Sequence, residues 1–197
     1  KALSTGKTAE QLIMKTADIL SKELNATCIS YAEVIDINSR TQQLSYASFG
    51  AEQAHTLNYD KLVLATGASP IHLPNTLAAP EHTLSINNLD DYKHFRSQLE
   101  GKQSVVIIGA GYIGCELASD LSSQGIQVSI IDRGIWPLNR AVPEAIGSII
   151  QREMTEKQGI AWYLGKTLKQ IEPLEHTFNV VLGSGEQLKA DLVLSAI

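Results

Sequence analysis

The chain has 197 residues, 44% of them hydrophobic and 19% charged, and its 16 basic against 21 acidic side chains leave a formal charge of −5. That apolar content excludes a disordered chain, and the mild acidity argues against nucleic acid as a partner, because phosphate backbones are met by basic surfaces. The longest apolar runs, such as residues 105–108, are strand-sized and far short of the roughly 20 residues of a membrane-spanning helix.

Thr8 and Gln11 have the spacing of a capping box, and Ile13, Ala17, Leu20 and Leu24 then share one helical face. This predicts a helix from about residue 8 to residue 24. A strand at 26–30 follows, then alternating stretches at 33–37, 43–47 and 56–59 that predict an antiparallel meander with polar turns at Asn38-Ser39-Arg40 and near Gly50. Residues 61–65 read as a compact apolar strand, and residues 68–88, with Pro70, Pro74 and Pro80, as a connecting loop. Leu89, Tyr92, Phe95 and Leu99 mark a second helix. Next come a strand at 104–108, a glycine turn, and a helix expected to point Ile113, Leu117 and Leu121 inward, with Gly125 just past its end. A strand at 127–131 closes that unit. Pro143 suits the start of another helix, with Ile146, Ile150 and Met154 inward and Gly159 at its end. A strand at 160–164 and a second meander at 167–171, 178–182 and 187–189 lead into a strand at 191–197. Both meanders run into a Leu-Val-Leu segment, Leu62-Val63-Leu64 and Leu192-Val193-Leu194, so the matching order of elements favours a duplicated unit.

Gly109-Ala110-Gly111-Tyr112-Ile113-Gly114 is a G-x-G-x-x-G motif that directly follows an apolar strand and opens an amphipathic helix. The next strand ends in Asp132, 23 positions after the first glycine. That is the context of a dinucleotide-binding unit. Gly109 permits the tight turn, Gly111 the approach of a pyrophosphate to the backbone, and Gly114 the close packing of helix on strand. The helix N-terminus offers free N–H groups and a partial positive charge. Asp132 is suited to accept the adenosine ribose hydroxyls and to repel a 2′-phosphate, which favours NAD over NADP, although Arg133 beside it pulls the other way. Cys28 and Cys115 lie 87 positions apart with no CxxC pair, so a disulfide framework is not expected and a reducing, cytoplasmic setting fits. His55, His72, His82, His94 and His176 show no ligand spacing, and no metal site is expected.

Three segments carry a family resemblance: Asn58-Tyr59-Asp60-Lys61-Leu62-Val63-Leu64-Ala65-Thr66-Gly67-Ala68-Ser69-Pro70, residues 109–116, and Ala190-Asp191-Leu192-Val193-Leu194-Ser195-Ala196. Together they resemble the two-dinucleotide-domain flavoprotein reductases. Within that group, Lys1-Ala2-Leu3-Ser4-Thr5-Gly6, Asn88-Leu89-Asp90-Asp91-Tyr92 and Gly114-Cys115-Glu116 with Asp120-Leu121-Ser122-Ser123 most resemble the NADH:rubredoxin reductases. The resemblance implies an α/β fold. Residues 101–197 would be a Rossmann-like NAD-binding domain, a parallel sheet plus a β-meander. Residues 1–100 would be the C-terminal portion of a second, FAD-binding Rossmann-like domain with a connecting helix.

The resemblance also implies cofactors, partner and roles. NADH would lie on Gly109, Ala110, Gly111, Tyr112, Ile113 and Gly114, with Asp132 on its ribose and Arg133 alongside. Glu116 matches a glutamate that points toward the isoalloxazine ring, and Lys1 a lysine near the flavin. Val34 matches a strand position whose backbone meets the adenine of FAD, and Ala65, Thr66 and Gly67 a turn against the flavin nucleotide. Hydride would pass from NADH to FAD, and single electrons would then go to rubredoxin or a similar small iron-containing carrier. Sister enzymes serve a ferredoxin, a nitrite-reductase system or oxygen, and an NADH-binding module without turnover is the reading from another class. The chain departs from the family in lacking an earlier G-x-G-x-x-G, the later ribityl-binding segment, the C-terminal interface domain and the proline after the lysine. With its start at Lys1 and its stop at Ile197, it reads as the middle of a longer chain that binds FAD poorly on its own.

Overall fold

The computed structural model describes residues 3–50, 53–71, 73–74, 77 and 79–197. Lys1 therefore lies outside the described residues. The chain forms two compact units, Ile13–Ala68 and Lys1–Leu12 with Ser69–Ile197.

The first unit opens with α1 (Ala17–Leu24), whose Thr16 side chain accepts the Ile19 N–H and whose end is set by Asn25 in the left-handed region, φ 47°. The expected continuous helix from residue 8 is thus two pieces. The Thr8–Gln11 box does form, with the Thr8 N–H donating to Gln11 Oε1 at 2.9 Å, but it closes only a 3-10 turn, Glu10–Leu12. Thr16 starts a separate helix by capping it, as a hydroxyl that bonds local backbone tends to do. Then β1 (Ala32–Asn38), β2 (Gln43–Ser48) and β3 (Ala54–Asn58) make an antiparallel sheet in that order, with a register shift between Val34 and Asp36. Residues 26–30 are not a strand, because the Cys28 N–H is spent on the Ser21 hydroxyl of α1 at 3.2 Å. Residues 61–65 are not a strand either. A Leu-Val-Leu run suits an inner parallel strand, but no described strand pairs with it, and Val63 is left 85% exposed.

In the second unit, α2 (Leu89–Leu99) is entered through a capping box in which the Asp91 N–H donates to Asn88 Oδ1 at 2.8 Å and the Asn88 N–H to Asp91 Oδ2. This accounts for the acidic pair Asp90-Asp91 at a helix start. There follow β4 (Ser104–Ile108), α3 (Tyr112–Ser122), β5 (Gln127–Asp132), α4 (Glu144–Gln158) and β6 (Ala161–Leu164). A meander of β7 (Leu168–Pro173), β8 (Phe178–Leu182) and β9 (Gln187–Ala190) then leads into β10 (Leu192–Ser195). The parallel sheet has the order β10-β4-β5-β6, and the meander is a separate antiparallel sheet in the order β7-β8-β9. The loop before α2 covers the β10 edge: the Leu84 N–H donates to Val193 O and the Ser195 N–H to Leu84 O.

Strand alternation divides the parallel sheet between two cores. Val105, Ile107, Val128, Ile130, Leu192 and Leu194 face Tyr92 and Phe95 of α2 and Ala118 and Leu121 of α3. Val106, Ile108, Ile131 and Val193 face Ile171, Val180, Leu182 and Ala190 of the meander. Two expected inward residues are corrected: Ile113 is exposed on the first turn of α3, and Ile146 is 45% exposed on α4. The buried face of α3 runs instead through Gly114, Cys115, Ala118, Asp120 and Leu121, and α4 buries Gly147. Gly147 sits so close under the Trp136 indole that a side chain there would collide with it, which fixes the face that α4 presents. Among the described residues no helix is long and apolar enough to cross a membrane, and no cluster could hold a metal ion.

Candidate functional site

The chain reverses its winding between β4 and β10, and at the carboxyl ends of those strands an open α/β sheet binds its ligand. Gly109 turns the chain there at φ +112°, a conformation closed to other residues. Its N–H donates to Ile131 O at 2.8 Å, and a side chain on it would lie 2.7 Å from Ala196 O. A side chain on Gly114 would strike the carbonyl oxygen of Gly109, so that glycine lets α3 seat directly on the turn. Gly111 behaves differently. It is the N-cap of α3, supplies no side-chain hydrogen bond, and faces open space. The first N–H groups of α3 are therefore directed at an unobstructed surface with no side chain capping them, which is what an anion requires. Tyr112 and Ile113 are exposed on that same turn.

Asp132, at the end of β5, holds two backbone groups together: Oδ2 accepts the Ala110 N–H at 2.6 Å and Oδ1 the Gly134 N–H at 2.5 Å. Arg133 follows it in the chain and is exposed, and Glu116 is exposed on α3 in the same unit. Cys115 lies under the turn with its thiol on Ala110 O at 3.5 Å. Burial, aided by the charge of Asp132, pushes that thiol up to about 11, so it is not a nucleophile near neutrality.

Gly109, Ala110, Gly111, Tyr112, Ile113, Gly114, Glu116, Asp132 and Arg133 thus belong to one unit, while Val34, Ala65, Thr66 and Gly67 lie exposed in the other. The loop between β5 and α4, where Trp136-Pro137-Leu138 reads in sequence as a loop anchor, also reaches the glycine turn. Leu138 donates its N–H to Ala110 O at 2.8 Å from a left-handed backbone, φ 58°. Trp136 anchors that loop through its indole N–H to Val142 O at 3.0 Å. A non-glycine residue at positive φ is the structural signal of such a place, and sequence alone does not carry it. A separate cavity of about 360 Å³ lies at the opposite, amino end of the sheet, against His82, Phe178 and Asp191. It has neither the glycine turn nor a helix N-terminus.

The sequence profile of the family described as Pyridine nucleotide-disulphide oxidoreductase matches residues 2–197. The rubredoxin-NAD(+) reductase of Acinetobacter baylyi is 38% identical over 200 residues, covering 100% of this chain and 50% of that protein. The nitric oxide reductase FlRd-NAD(+) reductase of Klebsiella pneumoniae is 30% identical over 194 residues, covering 98% of this chain and 49% of that protein. The chain spans about half the length of the curated relatives it matches. Among solved structures, the water-forming NADH oxidase from Lactobacillus brevis bound to NADH superposes with a TM-score of 0.86 at 21% identity, over 98% of this chain and 43% of that one. Its engineered variant bound to NADPH also gives 0.86 at 21% identity, over 100% of this chain and 44% of that one.

Proposed function

Because the chain belongs to the pyridine nucleotide-disulphide oxidoreductase family, whose members are FAD- and NAD(H)-dependent oxidoreductases, we propose that it is the NADH-receiving part of a flavoprotein reductase. Its electrons go singly to rubredoxin or a similar small iron-containing carrier. In this reading residues 101–197 are the NAD-binding domain, and residues 1–100 hold the trailing part of the FAD-binding domain and the connecting helix. The observation that carries the reading is the open, uncapped start of α3 on the Gly109–Gly114 turn, closed on one side by Asp132.

The chain's own residues bind and orient. N–H groups of the first turn hold the NADH pyrophosphate, and Gly111 leaves it room. The Asp132 oxygens keep lone pairs beyond the two N–H groups they already accept and can take a ribose hydroxyl. The engineered NADPH-bound oxidase supports this assignment. Its substitutions include a glycine and, eighteen positions on, an aspartate exchanged for alanine, followed by a new arginine, and Gly114, Asp132 and Arg133 stand at that spacing. Glu116 is assigned to the flavin side of α3, with Lys1 as the lysine near the flavin. Val34, Ala65, Thr66 and Gly67 are exposed, and with no G-x-G-x-x-G motif of their own to hold a pyrophosphate they are assigned to only part of an FAD site. When bound, FAD accepts two electrons from NADH and releases them one at a time.

The acceptor is assigned from the Acinetobacter relative, and the Klebsiella relative supports an FlRd-type acceptor as the second reading. A cytoplasmic location is supported by two unpaired cysteines, Cys28 on the surface and Cys115 in the core. The test is the full-length protein. It should purify yellow, bleach on addition of NADH and recover its colour with oxidised rubredoxin. Colourless protein that still binds NADH would make the chain a nucleotide-binding module without turnover.

A further inference from the structure

Leu138 is held in the left-handed region at φ 58°. Side chains other than glycine are strained there, and asparagine stands that backbone better than leucine does. Such strain persists where the surroundings impose it, and around Leu138 they do. Its carbonyl accepts the Ala141 N–H at 2.7 Å and the Val142 N–H at 2.9 Å, and the Trp136 indole N–H closes the loop on Val142 O at 3.0 Å. Trp136 rests in turn on Gly147 of α4, where a side chain would collide with the indole. The loop is a small closed frame, and from it the Leu138 N–H reaches Ala110 O at 2.8 Å.

Ala110 lies between two glycines, Gly109 and Gly111, so its neighbours in the chain do little to fix it. Contacts from outside the turn fix it instead. Its N–H donates to Asp132 Oδ2 at 2.6 Å, and its carbonyl takes the Leu138 N–H and, at 3.5 Å, the Cys115 thiol. A peptide unit is planar and trans, so the Ala110 carbonyl and the Gly111 N–H point in opposite directions. Whatever draws that carbonyl toward the Leu138 loop turns the Gly111 N–H away from it. No described residue accepts the Gly111 N–H, and Gly111 faces open space.

We propose that Leu138 is a positioning residue, whose left-handed backbone holds the Ala110 carbonyl so that the Gly111 N–H faces the nucleotide pyrophosphate. The inference rests on the function proposed above, which seats that pyrophosphate on the first turn of α3. Leu138 acts through one peptide unit and not by contact with the ligand. Its half-buried side chain offers the competing explanation, that leucine stands there for packing. Backbone and packing roles rank the same substitutions in opposite order.

The test is calorimetric titration of the full-length protein with two probes. ADP-ribose carries the adenosine ribose and the pyrophosphate without a reducible ring, and adenosine lacks the pyrophosphate. Leu138→Gly and Leu138→Asn give up the packing but accept a left-handed backbone, so ADP-ribose affinity should stay within about threefold of wild type. Leu138→Ile keeps the apolar volume but resists that backbone, and affinity should fall by about tenfold, the worth of one aligned hydrogen bond. Adenosine affinity should stay within about twofold in all three variants, because the loss belongs to the anion seat. Losses in Leu138→Gly and Leu138→Asn, or retained affinity in Leu138→Ile, would overturn the proposal. Equal losses for adenosine and ADP-ribose would overturn it as well. Wild-type protein without affinity for ADP-ribose would sink the function reading and this inference with it, whereas the other results leave that reading standing.

Discussion

Asp132 shows how the side chain proposed to meet a ligand also serves the fold. Its carboxylate ties the glycine turn at Ala110 to the chain leaving β5 at Gly134, so the acid proposed to face a ribose also braces the loop proposed to hold the pyrophosphate. Asp132→Ala should therefore have two effects. Loss of hydrogen bonds to a charged group, about 1.5–3 kcal/mol, should weaken NADH binding by roughly tenfold to a hundredfold. The preference for NADH over NADPH should fall as well, because the repelling charge is gone and Arg133 remains to meet a 2′-phosphate. Fluorescence titration with both nucleotides separates the two effects. Weakened affinity with an unchanged ratio would leave Asp132 as a brace alone. The candidate role of the same acid was legible because it ends the strand after a G-x-G-x-x-G. Its bond to Ala110 was not, since the two residues meet only once β4 and β5 are paired.

At the scale of elements, legibility followed how local each element's causes are. The β4–α3–β5 unit was readable nearly residue by residue, because a strand, a glycine turn and a helix with Gly125 after it are all specified within a short window. The segments at 26–30 and 61–65 have strand composition but no strand, because pairing depends on a partner that their own residues do not supply. Helix faces depart from periodicity where one tertiary contact outweighs it. Gly147 under Trp136 turns α4 so that Ile146 faces out. Gly147→Ala should cost about 1–3 kcal/mol by overpacking, lowering the melting temperature. It should also weaken NADH binding, since the Trp136 loop reaches the glycine turn through Leu138. A melting temperature equal to wild type would show that the indole moves aside freely. A second contact between elements is electrostatic. Asp191 accepts the Gln103 and Ser104 N–H groups and the Ser104 hydroxyl, joining the starts of β10 and β4. The Gln103 N–H and these partners outweigh the effect of burial and hold its carboxyl below the usual range. An acid with a lowered folded-state pKa adds stability above its unfolded value, near 4, and loses it as pH falls through the lowered value. Acid unfolding followed below about pH 4 should therefore be shallower in Asp191→Asn than in wild type, and equal slopes would dismiss this contact as a source of acid sensitivity.

Over the whole molecule the two units differ in what they take out of water. In Ile13–Ala68 none of the described residues is fully buried, and Ile13, Met14, Val34, Ile35, Val63 and Leu64 are exposed. A short helix and a three-stranded sheet without a covered face are marginal by themselves. The other unit has two cores on the two faces of its sheet, with Phe95, Ile107, Leu121, Ile130 and Leu194 fully enclosed. Both tryptophans, Trp136 and Trp162, lie in this second unit, so their fluorescence reports on it alone. Denaturant unfolding of the chain should then be non-coincident. Amide protection in β1, β2 and β3 should be lost at lower denaturant than the tryptophan signal, because local opening free energy follows buried apolar contact. NADH at a hundred times its dissociation constant should move only the tryptophan-reported transition, by about 2.7 kcal/mol, since a ligand stabilises the unit that binds it. One transition shared by both probes, or a shift of both on adding NADH, would show that the units fold as one and that the nucleotide seat is not confined to the second.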